Sequence, residues 1–137
     1  MDLQPGEEYK RTDLHDAFGG QRQGGISTPA DQPMVLLFTG DMGEQYGYRD
    51  GFQEDGTFWY TGEGQVGDMQ MIRGNRAIAD AAEEGKSIHL FEYVRTAYVR
   101  YIGECEYVGF HEAMAPDRNG DLRRVFVFEL AIVRPRG

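Results

Sequence analysis

Cysteine and long apolar runs are both nearly absent from this sequence. The single cysteine, Cys105, excludes an internal disulfide framework and a zinc site built from clustered cysteines. No apolar run approaches the ~18 residues of a membrane-spanning helix, and the first residues lack the apolar core of a secretory signal. For a chain of 137 residues, these features predict one soluble, intracellular domain whose core needs no cross-links.

Positive charge is scarce as well. Lys10 and Lys86 are the only lysines among 14 basic residues, 23 residues are acidic, and the formal net charge is −9. Proteins that bind nucleic acid mainly through phosphates usually carry the opposite balance, so we expect few phosphate contacts and a shallow salt dependence of any DNA binding. The charges are uneven, however, because residues 118–137 contain five arginines and two acids. A basic face can therefore coexist with an acidic one, and arginine suits bidentate contacts to phosphates and bases.

The pattern of apolar, turn and capping residues predicts five to seven strands and two helices. The predicted strands are a short one near Tyr9 and then residues 34–38, 57–61, 87–94, 97–110 and 122–133; the predicted helices are a single turn from Thr12 or Asp13 to Phe18 and a longer helix from Met69 to about Ala82. Most strands are consecutive in sequence. We therefore expect an α+β domain in which one main helix and one short N-terminal helix accompany a small curved or closed antiparallel sheet.

Patterns for metal binding and nucleophilic catalysis are missing. The three histidines, His15, His89 and His111, are far apart and form no ligand spacing, so no metal site or other cofactor is predicted. Residues 62–67, GEGQVG, lie between a predicted strand and helix as phosphate-binding loops do, but no Lys-Ser/Thr pair follows the glycines. Clustered carboxylates leave one enzymatic alternative open, a small hydrolase that uses Asp50 and Glu63.

Aromatic residues and glycines are concentrated in residues 48–75, which contain the only tryptophan and six glycines. Three of the aromatic side chains are expected in the core: Phe52, Phe58 and Trp59. Tyr48 and Tyr60 are flanked by glycines and are predicted to expose their rings. Two such rings form a slot for a planar ligand, and Asp50 beside them can accept a hydrogen bond from an exocyclic amine, which is the chemistry needed to hold an extruded cytosine.

The hairpin within this stretch sets the orientation of the two tyrosines. Asp55-Gly56 is a signal for a two-residue turn. In that register Tyr60 pairs with Gly51, and Tyr48 points to the opposite face because side chains alternate along a strand. A slot between the tyrosines then requires a bulge or a loop at Asp50–Gly51, which the glycine makes feasible.

Residues 47–65, GYRDGFQEDGTFWYTGEGQ, resemble the core signature of SRA (SET- and RING-associated) domains, which read methylated cytosine in DNA. Asn75-Arg76-Ala77-Ile78, Gly85-Lys86-Ser87-Ile88 and the Gly-rich segment 22–26 resemble further blocks of the family. The chain is most similar to the version attached to HNH nucleases in bacterial type IV, modification-dependent restriction systems. The resemblance extends over residues 6–133.

The resemblance implies a PUA-like or SRA-like small curved β-barrel that binds 5-methylcytosine, or 5-hydroxymethylcytosine, in duplex DNA after flipping the base. The implied base pocket contains two stacking tyrosines, an acceptor for the amine and two backbone donors for the carbonyl edge: Tyr48 and Tyr60, Asp50, and Thr61 and Gly62. The implied contacts to the DNA backbone or grooves come from Arg11, Arg22, Gln23, Arg76, Arg123 and Arg124.

The chain departs from the family pattern at two points. In eukaryotic members an acid three residues after the first tyrosine bonds the base, whereas that position here is Gly51, so the role passes to Asp50. The long basic finger of those members has no counterpart, because residues 62–68 are short and acidic. Residues 21–23 are the segment we expect to fill the space that the flipped base leaves.

The resemblance also implies an organisation for the whole chain. Residues 1–8 are expected to be a flexible lead-in, residues 9–133 the DNA-binding domain, and residues 134–137 a tail or the start of a linker to a missing nuclease domain. No HNH motif is present, so we expect a binding domain of the bacterial cytoplasm and not an enzyme, and its parent can dimerise through the nuclease. A reader of phosphorothioate-modified DNA, which needs an apolar pocket for sulfur, remains an alternative.

Overall fold

Eight strands and two helices form the part of the chain that the computed structural model describes, residues 1–40 and 50–133. The elements are β1 (Glu8–Lys10), α1 (Arg11–Phe18), β2 (Ile26–Ser27), β3 (Met34–Thr39), β4 (Gly51–Phe52), β5 (Phe58–Thr61), α2 (Arg73–Asp80), β6 (Ser87–Arg95), β7 (Tyr98–Pro116) and β8 (Leu122–Ile132). Neither helix is long and apolar enough to cross a membrane. The predicted α+β class is confirmed.

The strands form one sheet in the order β2-β3-β6-β7-β8-β5-β4, with β1 added along β7. The pair β3–β6 is parallel and the other pairs are antiparallel, so the expectation of a wholly antiparallel sheet is wrong. The reason is that β4, β5 and α2 intervene between β3 and β6, which allows the chain to cross over and return in the same direction. The terminal strands β2 and β4 do not pair with each other among the described residues, so the sheet is not closed there.

The two helices have the same length, eight residues, so the predicted distinction between a main and a short helix is wrong. α2 begins at Arg73 and not at Met69 because Asp68 has another partner. The Asp68 carboxylate accepts a hydrogen bond from the backbone N–H of Arg124 at 2.7 Å, and the N–H of Met69 donates to the Arg124 carbonyl at 2.9 Å. These bonds hold the preceding loop against β8. α1 begins at Arg11, just before the predicted caps.

The core consists of two clusters of buried side chains. The larger one joins α2 to β5 and β8 through residues such as Phe58, Ile78 and Phe128, and the smaller one lies around Leu14 of α1. Phe58 is thus core as predicted, and Trp59 packs partly buried against the larger cluster. Phe52 is not core. It is 56% exposed, and its ring lies nearly perpendicular to that of Phe58, with the ring centres 5.0 Å apart.

The β4–β5 hairpin has a three-residue turn, which changes the predicted register. Phe52 pairs with Phe58, and the N–H of Gln53 donates to the Thr57 carbonyl at 2.8 Å, leaving residues 54–56 in the turn. Gly56 supplies the left-handed conformation, with φ at 88°. Gly51 consequently pairs with Trp59, and residue 50 falls on the same face of the ribbon as residue 60. The shift by one residue therefore reverses the face predicted for residue 50. The predicted bulge concerns the position of Tyr48, which lies outside the described residues.

Hydrogen bonds of the Asn75 side chain connect the loop after β5 to the start of α2. Its side chain is 1% exposed, and Oδ1 accepts a hydrogen bond from the N–H of Glu63 at 2.8 Å. Its Nδ2 donates to the carbonyls of Glu63 and Gln70, at 2.9 and 3.0 Å. The Glu63 carboxylate in turn accepts from the N–H of Gly74 in the first turn of α2, at 3.0 Å. One asparagine thus provides hydrogen-bond partners for three backbone groups of the loop.

Replacement of Asn75 by alanine is expected to lower the free energy of unfolding by ~2–4 kcal/mol, because it leaves these backbone groups without partners. Chemical denaturation measures the change. Arg76→Ala is the matched control on the exposed side of the same helix, and it should shift stability by no more than ~0.5 kcal/mol. Equal stability of Asn75→Ala and Arg76→Ala would contradict this role of Asn75.

Candidate functional site

A cavity of about 920 Å³ lies where the end of β3 approaches the end of β5, two strands that do not pair. All four described members of the predicted base pocket line it: Asp50, Tyr60, Thr61 and Gly62. The fifth, Tyr48, lies outside the described residues. The cavity is therefore formed at the gap in the sheet, from the loops and strand ends that border it.

The carboxylate of Asp50 bridges this gap. Oδ2 accepts a hydrogen bond from the Thr39 hydroxyl at 2.5 Å, and Oδ1 accepts one from the backbone N–H of Thr61 at 2.6 Å. Burial raises the pKa of the Asp50 carboxyl, and the hydrogen bonds from Thr39 and Thr61 oppose that rise. The Thr39 hydroxyl and the backbone and side chain of Thr61 provide three donors, so the four lone pairs of the carboxylate retain capacity to accept a further bond. Asp50 is thus a fixed acceptor on the wall of the cavity.

Thr39 is a site residue that sequence reasoning missed. It is the last residue of β3, it is 7% exposed, and its hydroxyl points at Asp50 across the gap. Eleven residues separate the two in sequence, and no local pattern links them. Only the tertiary approach of β3 to the β4–β5 hairpin brings the hydroxyl and the carboxylate together.

Tyr60 is a buried wall of the cavity and not an exposed ring, which corrects the prediction. The residue is 3% exposed, and its hydroxyl lies 2.8 Å from the Gly25 carbonyl and 3.2 Å from the Phe38 carbonyl. Burial raises the pKa of the Tyr60 phenol well above its usual value, so it is a hydrogen-bond donor at neutral pH. Gly25 permits this contact, because a Cβ there would lie 2.6 Å from the phenolic oxygen.

The backbone donors that were expected to bond a ligand carbonyl are already used. The N–H of Thr61 donates to Asp50, and the N–H of Gly62 donates to the Phe126 carbonyl at 2.8 Å. Gly62 has a different function here, since a Cβ at this position would lie 2.6 Å from Asn75 Oδ1 and 3.0 Å from the Phe128 ring. The glycine allows the loop to pass close to the core.

The loop of residues 62–68 is held rigidly along the cavity. The Gly67 N–H donates to the Asp117 carboxylate at 3.1 Å, and the Gly67 carbonyl accepts from Arg123 Nη1 at 2.8 Å. The N–H of Arg118 donates to the Gln65 carbonyl at 2.8 Å. Between these anchors Val66 lines the cavity and is 53% exposed. The loop thus presents an apolar tip from a fixed backbone.

Two of the predicted DNA-contacting arginines are buried. Arg11 is 6% exposed, and its guanidinium donates to His15, to the Tyr93 hydroxyl and to the Gln21 carbonyl while lying 3.8 Å from the centre of the Phe38 ring. Arg123 is 3% exposed and holds the loop through Gly67. Both line the cavity, but neither guanidinium is exposed to a duplex outside it. The predicted contact of these two arginines with the DNA backbone is therefore corrected.

The other predicted contacts lie on the surface. Arg22, Arg76 and Arg124 are exposed, and each is paired with a carboxylate, of Asp16, Asp80 and Glu112 respectively. Gln23 is exposed and lines a second cavity of about 680 Å³, together with Arg76. These four side chains are accessible to a large ligand, and they do not converge on Asp50.

The carboxylate pair of the hydrolase alternative has structural partners. Asp50 and Glu63 line the same cavity, but the Glu63 carboxylate caps α2 through the Gly74 N–H. A Cβ on Gly74 would lie 2.7 Å from Glu63 Oε2, so the close approach depends on glycine. Among the residues that the structure describes, no three His, Cys, Asp or Glu side chains are grouped to hold a metal ion.

Comparison with known proteins supplies the context for this cavity. The family model described as "ScoMcrA-like, SRA domain" matches residues 5–136. No relative was found among curated protein sequences. The structure of the sulfur binding domain and SRA domain of ScoMcrA complexed with phosphorothioated DNA is similar with a TM-score of 0.78 and 26% identity, over 98% of this chain and 41% of that one.

Two further similar structures are less than 25% identical and bear on the fold alone. The SRA domain of SUVH5 in complex with hemi-methylated CG DNA has a TM-score of 0.71 and 20% identity, over 100% of this chain and 93% of that one. The DNA recognition domain of the cytosine modification-dependent restriction endonuclease LpnPI has a TM-score of 0.73 and 16% identity, over 98% and 75%. The SRA-like fold expected from the sequence is confirmed.

Replacement of Asp50 by asparagine tests the electrostatics of the bridge. A raised pKa means that the folded state binds the proton more tightly than the unfolded state. The wild-type protein therefore gains stability relative to Asp50→Asn as the pH falls through the raised pKa towards the ordinary carboxyl value of about 3.9. Thermal unfolding of both proteins between pH 7.5 and 4 measures this difference in stability. The contributions of the other acidic residues cancel, because both proteins contain them. A wild-type protein that loses stability relative to Asp50→Asn over this range would contradict the raised pKa.

Proposed function

Because the chain belongs to the ScoMcrA-like SRA domain family, we propose that it reads modified cytosine in duplex DNA. In this proposal the modified base leaves the duplex and enters the cavity beside Asp50. The chain covers 41% of the ScoMcrA chain with the sulfur binding and SRA domains and 29% of the chain in the structure of the restriction endonuclease ScoMcrA, so it corresponds to one part of that relative. By extension, we propose that its parent is a modification-dependent restriction enzyme of the bacterial cytoplasm, in which a nuclease domain cuts and pairs two subunits.

The position of Asp50 is the observation that carries the proposal. Its carboxylate is fixed from two sides by Thr39 and Thr61 and lines the cavity, where an exocyclic amine of cytosine would meet it. A charge-assisted hydrogen bond to such an acceptor contributes roughly 1.5–3 kcal/mol. Thymine presents a carbonyl oxygen at the same position and would be repelled, which supports selection of cytosine over its commonest competitor.

The energetics of flipping are consistent with a cavity of this kind. Extrusion of a base costs a few kcal/mol, and stacking on an aromatic ring returns ~1–3 kcal/mol per base. Tyr48 is the stacking ring in this proposal, and the buried Tyr60 contributes one wall of the cavity. For the space vacated in the duplex, residue 66 is a better candidate than residue 21, because Val66 is exposed at the tip of an anchored loop whereas the Gln21 amide is bonded to Thr28.

A reader of phosphorothioate DNA is the second candidate. ScoMcrA, which matches at 26% identity, is complexed with phosphorothioated DNA in a structure that contains a sulfur binding domain in addition to an SRA domain. The family model that matches this chain is the SRA one. A phosphorothioate is anionic, and a fixed carboxylate in the cavity opposes its binding, whereas the same carboxylate favours an amine. These two points support the base-reading proposal.

Binding to matched duplexes tests the proposal. We expect the affinity to rank 5-methylcytosine above unmodified cytosine by roughly four-fold or more, because burial of one methyl group contributes about 0.8 kcal/mol. Fluorescence anisotropy on duplexes that differ only in one base, or in one backbone sulfur, measures the ranking. Equal affinity for methylated and unmodified duplexes would refute the proposal, and a preference for the phosphorothioate duplex alone would favour the second candidate.

Substitution of the pocket residues is the companion test. Asp50→Asn is expected to weaken binding to the methylated duplex by roughly 10- to 100-fold, and Tyr48→Ala to weaken it similarly through lost stacking. Leu122→Ala is the control, since that side chain is 70% exposed and lines neither cavity. Unchanged affinity in Asp50→Asn, with an unchanged melting temperature, would contradict the role of the carboxylate.

A further inference from the structure

Arg73 has a backbone conformation that arginine rarely adopts. It is the first residue of α2, and its φ angle is 50°, in the left-handed region. In the described part of the chain, the other non-glycine residue with a positive φ is Ala97, which belongs to the tight turn between β6 and β7. No hairpin turn requires the conformation of Arg73. Strain of this kind is often found at binding sites.

The adjacent glycine does not relieve the strain. Gly74 has no room for a side chain, because a Cβ there would lie 2.7 Å from the Glu63 carboxylate that caps α2. The glycine is therefore required at position 74 for this close approach. The left-handed φ at the start of α2 is instead that of the preceding residue, Arg73.

The Arg73 side chain is exposed and makes no hydrogen bond or ion pair with any residue that the structure describes. Neighbouring cations on this side of the molecule are paired. Arg76 bonds Asp80 at 3.3 Å, and Lys86 lies 3.2 Å from Glu84. Arg73 is thus a positive charge without a partner among the described residues, at a left-handed turn that leads the chain into α2.

The location of Arg73 indicates what its partner is. The residue lines both the cavity beside Asp50 and the second cavity of about 680 Å³, so it lies on the rim between them. A duplex that delivers a base into the first cavity must bring its flanking phosphates over this rim. The protein carries a net charge of −9, so most of its surface repels phosphate. A guanidinium at this rim, without a partner among the described residues, can bind such a phosphate.

We propose that Arg73 binds a backbone phosphate next to the flipped nucleotide, and so orients the duplex on the rim of the cavity. The inference rests on the proposed function, since it takes duplex DNA as the ligand. A phosphate contact carries no base information, so it should act equally on modified and unmodified duplexes. This separates Arg73 from Asp50, whose contribution should depend on the base.

The test compares Arg73→Ala and Arg73→Gly with the wild-type protein, on methylated and unmodified duplexes, between 50 and 200 mM salt. Loss of one phosphate contact should reduce the slope of log K against log salt by about 0.9, and the affinity should fall by the same factor on both duplexes. Arg73→Ala keeps a side chain in the strained conformation and isolates the charge. Arg73→Gly should lose the same binding and gain melting temperature, because glycine adopts this φ without strain.

Arg100→Ala is the matched control. It also removes one cation, but Arg100 pairs with Glu8 and Glu92 and lines neither cavity. Its salt slope should equal that of the wild-type protein. The inference is overturned if Arg73→Ala and Arg73→Gly keep the wild-type slope, or if Arg100→Ala changes the slope as much. Equal wild-type affinity for methylated and unmodified duplexes would instead refute the proposed function, and the slopes would still decide the role of Arg73.

Discussion

A single carboxylate takes the place of the hydrogen-bond ladder that the sheet does not form between β3 and β5. Asp50 accepts from Thr39 at the end of one strand and from the backbone of Thr61 at the end of the other. The Tyr60 hydroxyl spans the same gap to the carbonyls of Gly25 and Phe38. Two side chains thus hold the curved sheet together where it remains open, and the cavity exists because no strand fills that gap. The acceptor that the proposed ligand needs is therefore also a structural tie, and it is positioned before any ligand arrives.

Buried polar groups around the cavity lower the stability of the fold, and hydrogen bonds to the neighbouring loop offset this loss. Burial makes ionisation of Asp50 less favourable, and the guanidinium of Arg123 is buried with Nε and Nη2 unpaired among the described residues. Around them Asn75 and Asp117 hold the loop of residues 62–68 through its backbone, so its glycines do not make it mobile. Arg73 adds backbone strain at the rim. Asp50, Arg73, Asn75 and Arg123 all line one cavity, where a preorganised site would concentrate such features.

The sequence predicted local features well and non-local ones poorly. The apolar run 34–38 was identified as a strand and Phe58 as core, because periodicity and composition act locally. The parallel pairing of β3 with β6 could not be foreseen, since it depends on a crossover through three elements. The start of α2 was misplaced because Asp68 bonds Arg124, 56 residues away, and Arg11 and Arg123 were misread because burial of an arginine depends on partners that sequence does not bring together. The resemblance of motif blocks identified the family, which spacing alone did not.

The central claim is that the Asp50 carboxylate bonds the exocyclic amine of an extruded cytosine. The most direct measurement is a thermodynamic cycle of wild-type protein and Asp50→Asn on two duplexes, one with 5-methylcytosine and one with the same base lacking its 4-amino group. We expect strong coupling: removal of the amine should weaken wild-type binding roughly 10-fold or more and leave binding by Asp50→Asn almost unaffected. If Asp50→Asn and removal of the amine weaken binding independently and additively, the amine and the carboxylate do not contact each other, and the proposed hydrogen bond is wrong.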